Sequence, residues 1–434
     1  MRKKINNSLI LLINVVLILS FLSGCAASNK GTTSSNSNTT SKTSSNTNNN
    51  SSKVDVTVGN TDTTKANTNA PVKTVAPTNV PPVNSSAGGA KSAVNSITAK
   101  QSTANPTQMP AINVLDQKAF SDAIILNLSE GKDMAINLQG KYTKDTIAAE
   151  AMKVIETSGY AGYLSGIEYG VSNNVGYIYF KYKGDVASFL TKSKAVDGIV
   201  KDIVAKVVNS SMSDYDKELA LHDYVVNNVS YDYVNLMKNT IPDDSYTAYG
   251  ALLKGVAVCE GYAESMYKLL RAAEVKSYII NGFGNGVAHE WNLVNINGGI
   301  YHLDATFDDP ISATNKVITH NYFNVNDVQI SKDHTWNNLD YPKSTAVAAN
   351  YFNVNNFFAN NKSKYYDIVK NELIKKSTTI DIRTGNYDTN VYTSDVILKV
   401  LKDNPGIDFV DTSKGYSFSY DPSSNVVEFN ISYK

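Results

Sequence analysis

Cys259, His289 and Asp304 are the residues on which this sequence could run covalent chemistry. Only two cysteines occur in 434 residues, Cys25 and Cys259. The stretch Gly255-Val-Ala-Val-Cys259-Glu-Gly-Tyr262 opens an apolar-periodic run, which puts Cys259 at or just inside a helix N-terminus. Unsatisfied N–H groups and the helix dipole favour a thiolate there and lower the thiol pKa. The same N–H groups can donate to an oxyanion. A buried structural cysteine is the competing reading, because cysteine packs as a small hydrophobe.

A hairpin supplies the other two groups. Asn297-Gly298 between alternating runs is a strong turn signal. A two-residue turn pairs Ile296 with Gly299, hence Trp291 with Asp304, and puts His289 opposite Thr306. Side chains alternate with period two, so His289, Trp291 and Asp304 share a face and the diagonal pair can meet. The chemistry is then nucleophilic: Cys259 attacks, His289 moves the proton, and Asp304 orients the imidazole. A surface His–Asp pair without a task is the alternative. His222 falls inside a helix, His302 is read to the hairpin's other face, and His320 and His334 have no placed partner. Asp308-Asp309-Pro310 reads as a turn cap. No His-Glu-x-x-His, cysteine cluster or EF-hand loop is present, so neither a metal nor a cofactor is expected.

The elements that must hold these groups follow from periodicity. Residues 217 to 229 read as a helix with Leu221, Tyr224 and Val225 on one face. After Cys259, residues Tyr262, Met266, Leu269, Leu270 and Ala273 recur at the spacing of a buried stripe. Residues 277 to 280, 289 to 296 and 300 to 306 read as strands.

Around this centre, residues 133 to 142 reappear as 378 to 387, each copy ending in Gly-x-Tyr. Each copy is preceded by an amphipathic helix, at 120 to 128 and 365 to 375. Each is followed by a helix and a closing strand, at 177 to 183 and 426 to 434. Two small α+β modules, 113–185 and 346–434, are therefore expected to flank a central domain at 186–345.

Residues 1–25 read as a targeting segment. A basic start, an apolar run from Leu9 to Leu22 and the ending Leu22-Ser-Gly-Cys25 resemble a bacterial lipoprotein signal with its lipobox. That resemblance implies a diacylated Cys25, with the protein anchored on the outer face of the cytoplasmic membrane. Cys259 would then lack an intrachain partner and stand as a candidate reactive thiol. Residues 26–112, rich in Ser, Thr, Asn and Ala with six of the eleven prolines, read as a disordered stalk. As a flexible coil it would span about 50 Å. With 40 basic and 40 acidic side chains, no net charge steers the chain to nucleic acid. The Asn-, Lys- and Ile-rich composition suggests a low-GC Gram-positive host. Nothing in the sequence sets an oligomeric state.

Three motifs in order, Cys259-Glu-Gly-Tyr-Ala263, His289-Glu-Trp-Asn292 and Leu303-Asp-Ala-Thr-Phe-Asp-Asp-Pro310, resemble the transglutaminase-like superfamily of papain-like thiol enzymes. The flavour resembles the bacterial branch near the kyphoscoliosis-peptidase group. Supporting matches run from His222–Asp232 upstream to Tyr322–Asn326 and Ser331–Trp336 downstream. The resemblance implies an α+β core with the cysteine on a helix and the histidine and aspartate on an antiparallel sheet. It implies acyl transfer from a peptide or protein amide through a thioester. Glu260, Gly261, Trp291 and Asn292 stand beside the triad as candidates to line or support the cleft. Animal members use a tryptophan for the oxyanion and carry calcium sites, and neither can be placed here. Three outcomes stay open: a cysteine peptidase or amidase, a transglutaminase with an amine acceptor, or a surface scaffold with an idle thiol fold.

Overall fold

A computed structural model of the chain describes residues 97–103, 109–310 and 318–434. The signal segment, Cys25 and most of the stalk lie outside the described residues.

The first body comprises β1 (Thr98–Gln101), β2 (Ala111–Ile112), α1 (Gln117–Ser129), β3 (Met134–Asn137), α2 (Ile147–Glu156), β4 (Leu164–Ser172) and β5 (Val175–Tyr182). Asp116 caps α1 by accepting from the Ala119 N–H at 2.8 Å. Phe120, Ile124 and Leu128, four apart, turn one face of α1 into the core, where Ile147, Ala151 and Ile155 of α2 meet them. The sheet order is β1-β4-β5-β3-β2. Ordered chain thus begins ahead of residue 113, where composition put the boundary. The side chains of β1 are all exposed, and the strand is held by backbone pairing to β4. Such an edge strand leaves no apolar pattern to read.

The central body holds α3 (Val186–Val207), α4 (Asp214–Asn228), β6 (Ser230–Tyr231), α5 (Tyr233–Lys238), β7 (Val256–Ala257) and α6 (Cys259–Ala272). Then come β8 (Ser277–Gly284), β9 (Val287–Ile296), β10 (Gly299–Leu303), β11 (Phe323–Val325), α7 (Asp327–Ile330), β12 (His334–Trp336) and α8 (Tyr351–Val354). Ser213 and Asp216 start α4 with a reciprocal capping box. The stripe expected on α6 is buried throughout and packs on Leu221, Val225 and Val226 of α4. Each fully buried aliphatic there stabilises by roughly 1.5–3 kcal/mol. The sheet is antiparallel, in the order β11-β10-β9-β8-β12. Asn297 and Gly298 both take positive φ, 53° and 82°, as a two-residue hairpin turn requires. The register is the expected one, with Ile296 opposite Gly299 and Asn292 opposite Leu303.

The last body runs β13 (Phe358–Ala359), α9 (Lys362–Lys375), β14 (Thr379–Thr384), α10 (Val396–Asp403), β15 (Tyr416–Asp421) and β16 (Val426–Ile431). Its strand order is β13-β14-β16-β15, and the first body contains the matching order β2-β3-β5-β4. In both, the first two strands are parallel and the others antiparallel. Arg383 of β14 is buried against the central body, where it lies over the Phe352 ring and donates to the Asn321 carbonyl.

Candidate active site

Cys259 is the first residue of α6, behind an N-cap at Val258. The backbone N–H of Glu290 on β9 hydrogen-bonds its sulfur. Tyr231, Leu236, Ile241 and Tyr246 pack around Val258 and Cys259, so the thiol is only 1% exposed. The segment supplying Leu236 and Ile241 is pinned at Asp232, which accepts from Asn235 Nδ2 at 2.8 Å and Ser245 Oγ at 2.7 Å. The sequence expectation of a lowered thiol pKa is corrected here. Burial, reinforced by the carboxylates of Glu260 and Glu290, pushes the thiol well above its ordinary value. The dipole is present, but desolvation of a wholly buried group outweighs it.

His289 of β9 donates from Nε2 to Asp304 Oδ2 at 2.7 Å, and both are buried. Asp304 follows the last residue of β10, and its Oδ1 accepts from the N–H groups of Thr306 and Phe307 at 3.0 and 3.1 Å. The same Oδ2 accepts a second imidazole, His334 Nε2, at 3.0 Å. His334 Nδ1 in turn meets Asp333 Oδ1 at 2.6 Å, and Tyr322 donates its hydroxyl to the other Asp333 oxygen. The adjoining imidazoles hold Asp304 well below the usual carboxylate range. Burial disfavours charge on His334, but hydrogen bonds to Asp304 and Asp333 overcome it and raise the ring from 6.5 to about 9. Burial opposes charge on Asp304, but His289 first and His334 second outweigh it and favour the anion.

His334 had no partner placed from sequence. It reaches Asp304 because β12 pairs with β8, setting His334 opposite Gly284. The signal available was the segment Ser331–Trp336 itself, an acid–imidazole pair flanked by a tryptophan. His302 is a second correction. It lies on the same face as Asp304, two residues on, not on the other face. Its Nδ1 accepts from Trp291 Nε1 at 2.9 Å, and its Nε2 meets Asp327 at 2.9 Å. Glycines make room for this ring cluster: a Cβ at Gly282 would meet the Trp291 ring at 2.7 Å, and one at Gly284 the His289 ring at 3.1 Å.

The four candidate neighbours divide by face. Trp291 is buried among rings, with His289 5.8 Å and His334 5.0 Å away between centroids, and its N–H is used by His302. Asn292 points to the opposite face and donates to the Ala263 carbonyl at 3.0 Å, tying α6 to the sheet. Gly261 lets the backbone of 245–247 approach α6, since a Cβ there would meet the Thr247 and Ser245 carbonyl oxygens at 2.9 and 3.0 Å. Glu260 lines a small cavity with Glu156, Glu264 and Glu290. Burial raises Glu264 to about 7 and pushes Glu290 well above the usual carboxylate range. Asp308 and Asp309 are buried and do more than cap a turn. Asp309 accepts from the Tyr262 hydroxyl at 2.6 Å, and Asp308 accepts from the Tyr322 N–H at 2.9 Å.

Residues 201–305 match the family model described as the Transglutaminase-like superfamily. That span contains Cys259, His289 and Asp304 and ends before His334. No curated protein matches the chain. Among solved structures, the chain is similar to a TGase at 14% identity, with 44% of this chain and 54% of that one covered and a TM-score of 0.24. It is similar to a candidate cysteine protease from Cytophaga hutchinsonii at 16% identity, covering 32% and 61%, TM-score 0.21. It is also similar to a candidate protease from Parabacteroides distasonis at 11% identity, covering 32% and 35%, TM-score 0.20. The chain thus spans less than two thirds of each of these structures.

Proposed function

From the premise that this chain carries a transglutaminase-like superfamily domain, we propose that it opens peptide-like amides through a thioester on Cys259 and releases the acyl group to water. The observation that carries this reading is the buried pairing of Asp304 with His289, the β9 residue just before Glu290, whose backbone N–H hydrogen-bonds the Cys259 sulfur. In the proposed cycle the Cys259 sulfur bonds to the amide carbonyl carbon while His289 takes the thiol proton. The oxygen bears the charge of the tetrahedral intermediate. Collapse breaks the C–N bond, and His289 returns the proton to the leaving amine. Water, deprotonated by the same imidazole, then cleaves the thioester and restores the thiol. Asp304 keeps the Nε2 proton of His289 occupied, which leaves Nδ1 for this traffic. Because a buried thiol resists ionisation, proton transfer to His289 would accompany attack instead of preceding it.

A second reading replaces water with an amine. Glu156, Glu260, Glu264 and Glu290 gather at one small cavity, where their carboxyl oxygens would accept hydrogen bonds from a lysine-like amine acceptor. The peptide or protein substrate is proposed to lie at the cell surface, with Cys25 as the lipid anchor. Peptide cleavage and dansyl-amine incorporation, measured side by side, separate the acceptors. Cys259→Ala is expected to abolish both, a loss of about 10⁴-fold or more. Full activity of that variant in either assay would sink the assignment. Mass spectrometry of the N-terminal peptide tests the anchor: a Cys25 without acyl chains rules it out.

A further inference from the structure

The described residues hold a second cluster in which one carboxylate oxygen bridges two imidazoles. Asp223 Oδ1 lies 3.0 Å from His222 Nδ1 and 2.9 Å from His320 Nε2. One ligand atom from each of these residues falls within 4.8 Å of the others. His222 is wholly buried inside α4, while His320 arrives from the chain just ahead of β11. Stacking on Tyr351, with centroids 3.8 Å apart and planes at 4°, fixes the His320 ring. The other nitrogen of His222, Nε2, faces Asp308 Oδ2 at 3.2 Å, and both atoms are buried. Neither makes a well-directed hydrogen bond among the described residues.

We propose that His222, Asp223 and His320 bind one late first-row divalent metal ion, with Asp308 orienting His222 from behind. Two imidazole nitrogens and a carboxylate oxygen form the borderline donor set that zinc and its neighbours take. An ion replaces the protons that now bridge the three side chains, so binding releases protons. His222 would ligate through Nδ1 and keep its Nε2 proton for Asp308, the arrangement in which an outer carboxylate fixes a histidine ligand's tautomer and ring angle. The buried, poorly directed His222–Asp308 pair fits that role better than it fits a finished hydrogen bond. Access is available, because the Asp223 side chain is 36% exposed and that of His320 13%. Three protein ligands leave a position for water or for the second Asp223 oxygen. The ion would tie α4 to the segment entering β11 and, through Asp308, to the turn carrying Asp304, whose carbonyl accepts from the Asp308 N–H at 3.1 Å.

The site does not depend on the acyl-transfer reading, so the test removes the thiol. The full chain carrying Cys259→Ala, stripped with chelator and kept in detergent, is titrated with zinc by calorimetry and with cobalt by visible absorption. One ion per chain is expected, accompanied by proton release and a higher melting temperature. Asp223→Asn and His320→Gln in that background should abolish binding. Asp308→Asn should weaken it about 10- to 100-fold. Melting of each apo protein identifies any variant that fails to fold, and the half-exposed Asp223 is the position least prone to that. A folded Cys259→Ala chain that binds no zinc overturns the site. So does a folded Asp223→Asn or His320→Gln chain that binds it unchanged.

Discussion

Asp304 and Asp223 do the same geometrical thing in two places. Each offers one oxygen to two imidazoles, and in each cluster the second imidazole is backed by another aspartate, Asp333 or Asp308. Their surroundings differ. Asp304 is wholly buried and its free oxygen is filled by two backbone N–H groups, while Asp223 is partly open to solvent. The first cluster adjoins a strand whose backbone bonds a sulfur; no thiol belongs to the second. Residue type therefore does not decide the chemistry. A sealed, fully bonded aspartate can orient a proton-carrying ring, and an accessible one can exchange an ion.

The harshest way to break this comparison is the same substitution at both aspartates. Asp304→Asn removes the charge that serves both His289 and His334, and turnover should fall on the order of 10³–10⁴-fold. Asp223→Asn should act first on stability, by about 1–3 kcal/mol, with a far smaller loss of turnover. Steady-state kinetics and denaturant unfolding of both variants check this. Equal rate losses would mean that the two clusters are not divided as proposed.

His334 sharpens the comparison at a smaller scale. Replacing it by Gln keeps a donor near Asp304 but removes the cation, so kcat should fall roughly 10- to 100-fold with KM little changed. Breaking the buried pair should also destabilise the fold by on the order of 3 kcal/mol. The pH dependence has a definite sign. His334 faces Asp304 and Asp333, with His289 and His302 nearby, and its folded pKa is raised from 6.5 to about 9. Its contribution to stability is thus complete below about 6.5 and is lost as the pH rises through about 9. Asp304 works the other way: its depressed folded pKa contributes stability above 3.8 that disappears only well into acid. Melting temperatures of the wild type should decline between the two His334 values, and the His334→Gln profile should be flatter there. Parallel profiles would remove His334 as the cation of the site.

Much of this is legible in the amino-acid sequence. The Asn297-Gly298 turn determined the hairpin register, and register brought His289 to Asp304 because a strand's period is fixed at two. The apolar stripe behind Cys259 placed the thiol at a helix start. What stayed hidden depended on distant chain or on burial. His334 sits on a three-residue strand with too little pattern to announce its pairing with Gly284. The thiol's local helix end is visible in sequence, but the carboxylate of Glu290 and the cover from Leu236 and Ile241 are tertiary facts that reverse its pKa direction. His302 is a different case, because strand parity by itself puts it on the face of Asp304, opposite Leu293.

The gentlest probe is Gly284→Ala, which asks how tightly the first cluster is held. A methyl group there would sit 3.0 Å from the Phe307 ring and 3.1 Å from His289 Cδ2, so the imidazole must give by a few tenths of an ångström. The backbone at Gly284 has no positive φ, so crowding is the only strain introduced. Overpacking of this kind costs about 1–3 kcal/mol in a well-packed core. If turnover depends on the angle at which His289 meets Asp304, kcat should drop by up to about tenfold while substrate affinity holds. Gly286→Ala in the turn that follows, where an added Cβ meets no atom within 4 Å, supplies the comparison without crowding, its φ of 77° adding backbone strain instead. A Gly284→Ala protein that is destabilised yet turns over at the wild-type rate would show that His289 has slack. The sealed cluster would then owe its function to charge alone, and orientation would drop out of the account.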